Sequence, residues 1–513
     1  MNKEKQKEIL VLILCLLIGF ALRFYTLEQK SLWVDEIHTF NESRYEQKDQ
    51  FIHYKENPTY LQPPLFYLLT HLFYPFTKPE RDLRIIPLIF GTLSIPMIYL
   101  LAAQFSSSIA LACTLSLTFM VYHISLSQDG RSYSLLLFLG MSGLYFLMKH
   151  LKTSKRGYLI PAAFFFVLSF YTSSTSIPSI ALLQILWFYQ TDKDTKTRFP
   201  GSFLFLNGLI LLFCLPWILS AFSYKNQPAI DTLRGDGTFG SFFEITYNVL
   251  QDWAPHMPAT ILSIILLILL PFFSRPKKNA FILLGVLILP IAGAYIFCKV
   301  FNITHFVTSR YFINLLPLFF ITLFLSVNAI ERRIERLRKY RLNFLFLILL
   351  VASNLIILPL YYQSEKQDLK GLVTHLKGQI QDGDKIIVGN RTFIPGILHY
   401  FGIHPIGRHH SFPAWKVSEK EIEYRVGLTY QDLKLTIITS HSHWFQYLAD
   451  GSRLWIVADK KNAQYFGEFG CRFKGYFDGS FFSMDRFPTD VSMYLLLWDP
   501  KSQDEKKIDM PFK

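Results

Sequence analysis

Eleven stretches of this sequence are apolar and close to the length that a helix needs to cross a lipid bilayer, about 20 residues. They fall at 8–25, 83–103, 108–127, 131–149, 157–174, 175–190, 201–221, 259–274, 280–298, 311–329 and 342–362. The chain of 513 residues is 51% hydrophobic and only 18% charged, which is typical of a polytopic membrane protein. A further segment, PPLFYLLTHLFYPF at 63–76, is short and interrupted by proline, so we expect a helix that lies in the membrane interface or re-enters the membrane shallowly. The sequence therefore predicts a polytopic α-helical membrane protein with about eleven spans.

Lysine and arginine residues lie unevenly between these stretches and indicate how the chain is oriented. If the N-terminal tail with Lys3, Lys5 and Lys7 is cytoplasmic, the inner loops contain KHLKTSKRG, TDKDTKTR, SRPKKN and ERRIERLRKYR. Basic residues near helix ends favour the cytoplasmic side, so the formal net charge of +14 is attributed to topology and not to nucleic-acid binding. We expect a multi-pass protein of the inner (cytoplasmic) membrane, with loop 26–82 and the chain beyond residue 362 facing the periplasm or exterior.

The character of the chain changes after residue 362. QDLKGLVTHLKGQI has the helical spacing of apolar residues, DGDKIIVGN is typical of a turn followed by a buried strand, and IPGILHYFG is again helical. RLWIVADKK and VSMYLLLWD have the composition of strands. Alternating helices and strands predict an extracytoplasmic α/β domain over 363–513, after a membrane domain over 1–362.

Polar groups that are able to carry chemistry cluster at the outer ends of the predicted spans. They are Asp35, Glu36, Gln62, Asp129, Arg131, His305, Arg310 and Tyr311. A carboxylate within reach of an alcohol acts as a general base, and a guanidinium binds phosphate through paired donors. If these groups converge, they suit sugar transfer from a lipid-phosphate-sugar donor. The alternative for each alone is structural: the acidic pair as a solvated helix start, and Arg310 as an anchor to lipid headgroups.

Four segments follow one another along the chain with the spacing of a known family: LRFYTLEQKSLWVDEIHTF, QPPLFYLLTHLF, YHISLSQDGRSYSLLL and TSRYFINLLPLF. In this order they resemble the first outer loop, the surface segment, the second outer loop and a late membrane-domain stretch of the GT-C membrane glycosyltransferases, in the protein O-mannosyltransferase family and its bacterial relatives. Those relatives transfer aminoarabinose, galacturonic acid or other sugars onto lipid A and envelope polymers. The resemblance covers most of residues 8–330.

The resemblance also implies roles for particular residues. Asp35 is implied to be the catalytic base, with Glu36 beside it to orient the site or help to hold a metal. Asp129 and Arg131 match the second outer loop, and Arg310 with Tyr311 match the region expected to bind the donor phosphate. The aminoarabinose branch has a basic residue immediately before its surface proline, whereas this chain has Gln62.

Metal dependence stays open at this stage, because some relatives use a divalent ion and others do not. Glu36 and His256 are the candidate metal ligands, although no paired ligand spacing is present. His305 is counted among the substrate-binding candidates. Since no phosphate-binding loop or dinucleotide fingerprint occurs, no nucleotide cofactor is expected.

We therefore expect an inverting glycosyltransferase that moves a monosaccharide from a polyprenyl-phosphate-linked donor to a lipid, polysaccharide or protein acceptor. Neither the sugar nor the acceptor is specified by these residues. Two alternatives remain: a transporter or lipid flippase, which would need inverted repeats and charges near helix midpoints, and a scaffold for envelope assembly without catalytic activity.

Overall fold

The computed structural model describes most of the chain. The described residues are 3–46, 49, 62–189, 193–223, 240–302, 308–334, 336, 339–390, 393–403, 415–418, 421–426, 428–430, 433–438, 451–479 and 491–500. Up to residue 363 they form helices only, and after it a small domain with strands follows.

The membrane domain consists of helices of very different length. They are α1 (Lys3–Phe24), α2 (Val34–Glu42), α3 (Leu65–His71), α4 (Pro79–Asp82), α5 (Ile85–Phe105), α6 (Ser107–Phe119), α7 (Val121–Ser127), α8 (Tyr133–Thr153), α9 (Leu159–Thr172), α10 (Ser176–Leu183), α11 (Lys193–Ser223), α12 (Phe242–Trp253), α13 (Met257–Phe273), α14 (Lys277–Val300), α15 (Leu316–Arg333) and α16 (Leu342–Gln363). Short 3-10 helices cover Arg156–Tyr158, Gln184–Phe188 and Ser309–Leu315.

A helix occurs at each of the eleven predicted spans, but not all of these helices meet the length and composition of a span. Among the described residues, six helices are long and apolar enough to cross a membrane, or up to eight if each of two bent pairs counts as one span. The pair α6–α7 bends by 60° and the pair α12–α13 by 113°. The chain is thus a multi-pass helical protein, and the count of eleven stays a prediction. The segment 63–76 contains the short helix α3, as predicted.

The bend between α6 and α7 is stabilised by a distant helix. At a helix start the first backbone N–H groups lack partners within the helix. The N–H of Val121 donates to Asn354 Oδ1 of α16 at 2.9 Å, which satisfies one of them. Close packing also fixes α7 against α5, because a Cβ atom at Gly91 would lie 2.1 Å from Ser127 Oγ. These contacts hold the loop that follows α7, residues 128–132, in place.

Helix α15 runs through the centre of the bundle. Leu316, Leu318 and Phe319 are fully buried at its start, in the main hydrophobic core of the membrane domain. Because a helix that is apolar all round is buried on all sides, α15 gives the residues immediately before it a fixed position. Arg310 lies in that preceding segment.

The C-terminal domain combines helices with a mixed sheet. Its helices are α17 (Leu369–Gln379), α18 (Ile394–Tyr400) and α19 (Lys460–Glu468), and its strands are β1 (Lys385–Val388), β2 (Trp415–Ser418), β3 (Glu421–Val426), β4 (Leu428–Tyr430), β5 (Leu433–Ile438), β6 (Leu454–Ala458), β7 (Arg472–Phe477) and β8 (Met493–Trp498). One sheet has the order β4-β5-β1-β6-β8-β7, and β2 pairs with β3 separately. Strand β1 is parallel to β5 and β6, with Ile386 opposite Trp455, whereas β8 is antiparallel to β6 and β7. The predicted alternation of helices and strands is confirmed.

The C-terminal domain holds the start of helix α2. The N–H of Leu32 donates to Tyr400 Oη at 2.7 Å, and the N–H of Val34 donates to Gln367 Oε1 at 3.0 Å. Leu32 and Ile37 are also part of the same hydrophobic core as α17 and α18. As a result, the residue that follows Val34 is positioned from the C-terminal side as well as from the membrane domain.

Candidate active site

Asp35 lies in the first turn of α2 and keeps an accessible carboxylate. Its side chain is 28% exposed, and its Oδ2 lies 3.7 Å from Nη1 of Arg310. This distance exceeds that of a hydrogen bond, so the pair attracts without closing on itself. Burial by itself raises the pKa of Asp35, but the nearby guanidiniums of Arg131 and Arg310, followed by His38 and Lys366, outweigh it and lower that pKa below its usual value. The carboxylate is therefore ionised and able to accept a proton.

Arg310 is buried and surrounded by aromatic rings. Its guanidinium carbon lies 5.7 Å from the ring centroid of Trp33, 5.7 Å from that of Tyr133 and 5.6 Å from that of Tyr311. Its side chain is only 5% exposed. Rings attract a cation through their electron-rich faces without cancelling its charge. The guanidinium of Arg310 thus keeps its positive charge, and this charge faces Asp35.

Arg131 links the loop after α7 to helix α2. Its Nη1 donates to the backbone carbonyl of Asp35 at 3.1 Å and to Thr39 Oγ1 at 3.3 Å. Arg131 also interacts electrostatically with Tyr67, a residue of α3 whose pKa is raised mainly by burial and lowered by that positive charge. The surface segment that contains Gln62 therefore reaches the site through Tyr67, whereas Gln62 itself is exposed.

Asp129 is buried between one polar partner, the indole N–H of Trp33, and one cationic partner, the ammonium of Lys366. Trp33 Nε1 donates to its Oδ1 at 2.9 Å, and Nζ of Lys366 lies 2.8 Å from its Oδ2. The same ammonium lies 5.0 Å from the centroid of the Trp33 ring. Asp129 thus orients Trp33 and Lys366, both of which also approach Arg310 or Asp35.

Glu36 has a different environment from its neighbour. It is fully buried, and both oxygens are paired with Arg84 at 2.7 Å. The N–H of Gly130 donates to Oε1 at 2.6 Å and that of Trp33 to Oε2 at 3.3 Å. Arg84 in turn donates to three backbone carbonyls within 27–31. With four donors on its two oxygens and no exposed surface, Glu36 is not placed to touch a substrate or a metal.

The remaining candidates lie apart from this group. His256 is exposed immediately before α13, with a positive φ of 71°. His305 lies outside the described residues. Within the described part of the chain, no group of three or more His, Cys, Asp and Glu side chains is suitable for a metal ion. Among the described residues, Glu36 and His256 thus have no set of further ligands around them, and a metal requirement stays a prediction.

Three residues of the site were not predicted from the sequence: Trp33, Arg84 and Lys366. Trp33 stands beside the acidic pair and Lys366 follows the last apolar stretch by only a few residues, so each had a positional signal. Arg84 lies at the start of the predicted span 83–103, where membrane anchors are common, and nothing in its neighbourhood indicates a buried ion pair with Glu36.

Known proteins are similar to this chain in sequence over one segment and in fold over most of its length. The family model described as dolichyl-phosphate-mannose-protein mannosyltransferase matches residues 61–219. No curated protein matches the chain by sequence. The family model and the oligosaccharyltransferase described below are both named for glycosyl transfer, the enzyme class predicted from the sequence.

Solved structures match the fold over almost the whole chain. The apo crystal structure of ArnT from Cupriavidus metallidurans matches with a TM-score of 0.57 and 11% identity, over 97% of this chain and 98% of ArnT. ArnT bound to undecaprenyl phosphate matches with a TM-score of 0.54 and 13% identity, over 94% and 97%. The oligosaccharyltransferase AglB from Archaeoglobus fulgidus, in complex with an inhibitory peptide and a dolichol-phosphate, matches with a TM-score of 0.50 and 13% identity, over 96% of this chain and 74% of AglB. The resemblance to GT-C membrane glycosyltransferases predicted from the sequence motifs is therefore confirmed, by the family model over 61–219 and by the fold.

Proposed function

We propose that this protein transfers a monosaccharide from a polyprenyl-phosphate-linked donor to a hydroxyl group of a lipid, polysaccharide or protein acceptor. One observation carries the proposal: the partly exposed carboxylate of Asp35 lies 3.7 Å from the buried guanidinium of Arg310, which aromatic rings surround. A general base and a cation held close to each other are what a displacement at a sugar phosphate requires.

In the proposed reaction Asp35 takes the proton of the acceptor hydroxyl as that oxygen attacks the anomeric carbon of the donor sugar. The new carbon–oxygen bond forms while the bond from the anomeric carbon to the phosphate oxygen breaks. The electron pair of that bond leaves with the polyprenyl phosphate, whose negative charge Arg310 stabilises. A single displacement on one face inverts the anomeric centre.

The other polar residues are assigned supporting roles. Arg131 binds the carbonyl of Asp35 and fixes the direction of its side chain. Lys366 adds a third positive charge close to the carboxylate. Glu36, expected from the sequence to take part in catalysis, is proposed to be a positioning residue, because its oxygens bind Arg84 and Gly130.

The structural neighbours support the lipid-linked donor. ArnT is described in complex with undecaprenyl phosphate, and AglB in complex with a dolichol-phosphate and an inhibitory peptide. We propose that this chain binds a donor of the same chemical class. The basic loops favour an orientation in which Asp35 and the C-terminal domain face the exterior of the cytoplasmic membrane.

Asp35→Asn tests the assignment of the base. The amide keeps the shape of the side chain but cannot accept the proton, so transfer should fall by about 10² to 10⁴-fold. The readout is mass spectrometry of envelope glycolipids and glycoproteins from cells that contain or lack the protein, in which a difference of one sugar unit identifies the product.

Glu28→Gln is the matched control, since Glu28 is an exposed carboxylate of the same loop and pairs with exposed Lys78. The control should retain the product, and both variants should insert in the membrane at normal abundance. Normal product formation by Asp35→Asn would remove Asp35 from the mechanism.

A further inference from the structure

A polar cavity, separate from the candidate active site, lies at the end of the helical bundle opposite to Asp35. It has a volume of about 390 Å³ and is bounded by the ends of α5, α13 and α15 and by the start of α14. Helix α5 begins directly after Arg84, and α15 follows Arg310, so both run from the active site to this cavity. With 21 and 18 residues, they span about 27 to 32 Å. That length matches the hydrocarbon core of a bilayer, about 30 Å, and puts the cavity at headgroup depth.

Three exposed arginines line this cavity. Arg275 comes from the turn between α13 and α14, whereas Arg332 and Arg333 come from the end of α15. In the described part of the chain, none of the three has a hydrogen bond or ion pair with another residue. Among the described residues that line the cavity, none is acidic. The adjacent Glu331 accepts from the N–H of Asn343 at 3.2 Å and from its Nδ2 at 3.1 Å, so its charge is directed elsewhere.

The rest of the lining is divided between amides and apolar side chains. Asn279 and Asn328 contribute the amides, and Phe105, Leu270 and Leu325 contribute part of an apolar wall. Arginines that only anchor a helix extend singly into the headgroup layer. Here arginines from two chain segments meet in one recess between helices, beside a surface that suits an acyl chain.

We propose that this cavity binds an anionic phospholipid, with the phosphate on Arg275, Arg332 and Arg333 and an acyl chain along the apolar wall. Guanidinium groups bind phosphate oxygens through paired, charge-assisted hydrogen bonds. Basic pockets between membrane helices on the cytoplasmic side bind the headgroups of such lipids. The binding itself does not depend on the glycosyl transfer proposed above; only its assignment to the cytoplasmic leaflet rests on the proposed orientation.

The test is a binding measurement on the purified full-length protein in a zwitterionic detergent, followed by native mass spectrometry. Short-chain phosphatidylglycerol is the probe, phosphatidylcholine of the same chain length is the neutral lipid, and glycerol 1-phosphate is the headgroup without chains. We expect phosphatidylglycerol to bind at least tenfold more tightly than either of the other two. The variant Arg275→Gln/Arg332→Gln/Arg333→Gln should lose at least tenfold in affinity for phosphatidylglycerol.

The matched control is Lys155→Gln/Lys277→Gln/Lys278→Gln, which removes three exposed basic residues that do not line the cavity. It should bind phosphatidylglycerol within about twofold of the unmodified chain. Equal affinity for the two lipids would overturn the proposal, and that comparison needs no variant to fold. If the control variant lost as much affinity for phosphatidylglycerol, binding would be due to general surface charge. If glycerol 1-phosphate bound as tightly as phosphatidylglycerol, the cavity would be a site for soluble phosphates. Either result would also overturn the proposal.

Discussion

The two sides of helix α2 present adjacent carboxylates to opposite environments. Asp35 points to the open side, is 28% exposed and lies 3.7 Å from Nη1 of Arg310. Glu36 points to the closed side, is fully buried and is paired with Arg84 at 2.7 Å on both oxygens. A buried carboxylate with every oxygen satisfied contributes rigidity, whereas one that is charged and partly exposed can take up a proton. One Asp-Glu dipeptide thus divides structural support and chemistry between its two residues.

The largest expected effect of breaking this division is on the closed side. Glu36→Gln would leave the Arg84 guanidinium buried without its counter-charge, and loss of one partner of a buried pair costs about 3 to 5 kcal/mol. We therefore expect Glu36→Gln to lower the unfolding temperature in detergent strongly, while Asp35→Asn leaves it nearly unchanged. Thermal unfolding of both variants, followed by tryptophan fluorescence, measures the contrast.

Removal of both partners provides the control for that prediction. Glu36→Gln/Arg84→Met deletes the uncompensated charge, so part of the lost stability should return. If Asp35→Asn lowered the unfolding temperature as much as Glu36→Gln, the two sides of α2 would not differ in the way that their contacts indicate.

The next largest effect, a loss of activity, is expected from substitution of Arg310, on the open side of α2. Arg310→Gln removes the cation proposed to stabilise the leaving phosphate, and a lost electrostatic stabiliser of this kind lowers kcat by about 10² to 10³-fold. Arg310→Lys restores the charge but neither the planar stacking against Trp33 nor paired donors, so it should recover only part of the activity. Steady-state kinetics with a polyprenyl-phosphate sugar would measure both. Activity of Arg310→Gln within threefold of the unmodified enzyme would contradict the role of Arg310.

These contrasts show which features a sequence carries. The apolar stretches predicted the helices, and β1, β6 and β8 were predicted too, because burial of a segment is recorded in its own composition. The 113° bend between α12 and α13 was not predicted, although the positive φ of His256 and Pro258 in the first turn of α13 are local features of that turn. The pairs of the site, by contrast, are not recorded locally: Glu36 meets Arg84 across 48 positions, and Asp129 meets Lys366 across more than 200. Motif resemblance located Asp35, but which of two neighbouring acids is satisfied depends on partners that are distant in the chain.

A smaller effect concerns the pH dependence of Asp35. Among its charged neighbours, Arg131 lowers its pKa the most. The base must be deprotonated to act, so activity is lost as the pH falls through this pKa. Arg131→Gln removes the positive charge and should raise the pKa, which moves the acid limb of the kcat/KM profile to higher pH. The profile of Glu28→Gln is the reference, and an unmoved acid limb in Arg131→Gln would mean that the limb does not report Asp35.

The smallest effect is expected at the border between the two domains. Lys366 follows α16, lies 2.8 Å from Asp129 and is the last of the four groups that lower the pKa of Asp35. Lys366→Met removes one of three cations near the carboxylate, while Trp33 Nε1 still binds Asp129. We therefore expect kcat/KM to fall by about tenfold, or about 1.4 kcal/mol, with most of the fold intact.

Lys370→Met is the control for this change, because Lys370 lies four positions further along and pairs with Glu80 away from the carboxylate. An exposed ion pair contributes about 0 to 1 kcal/mol, so activity should hardly change. Equal losses in the two variants would place the effect in the packing of the domain border. A loss confined to Lys366→Met would instead show that the C-terminal segment contributes to the site around Asp35. This segment supplies both a hydrogen bond that holds helix α2 and a positive charge that acts on the Asp35 carboxylate.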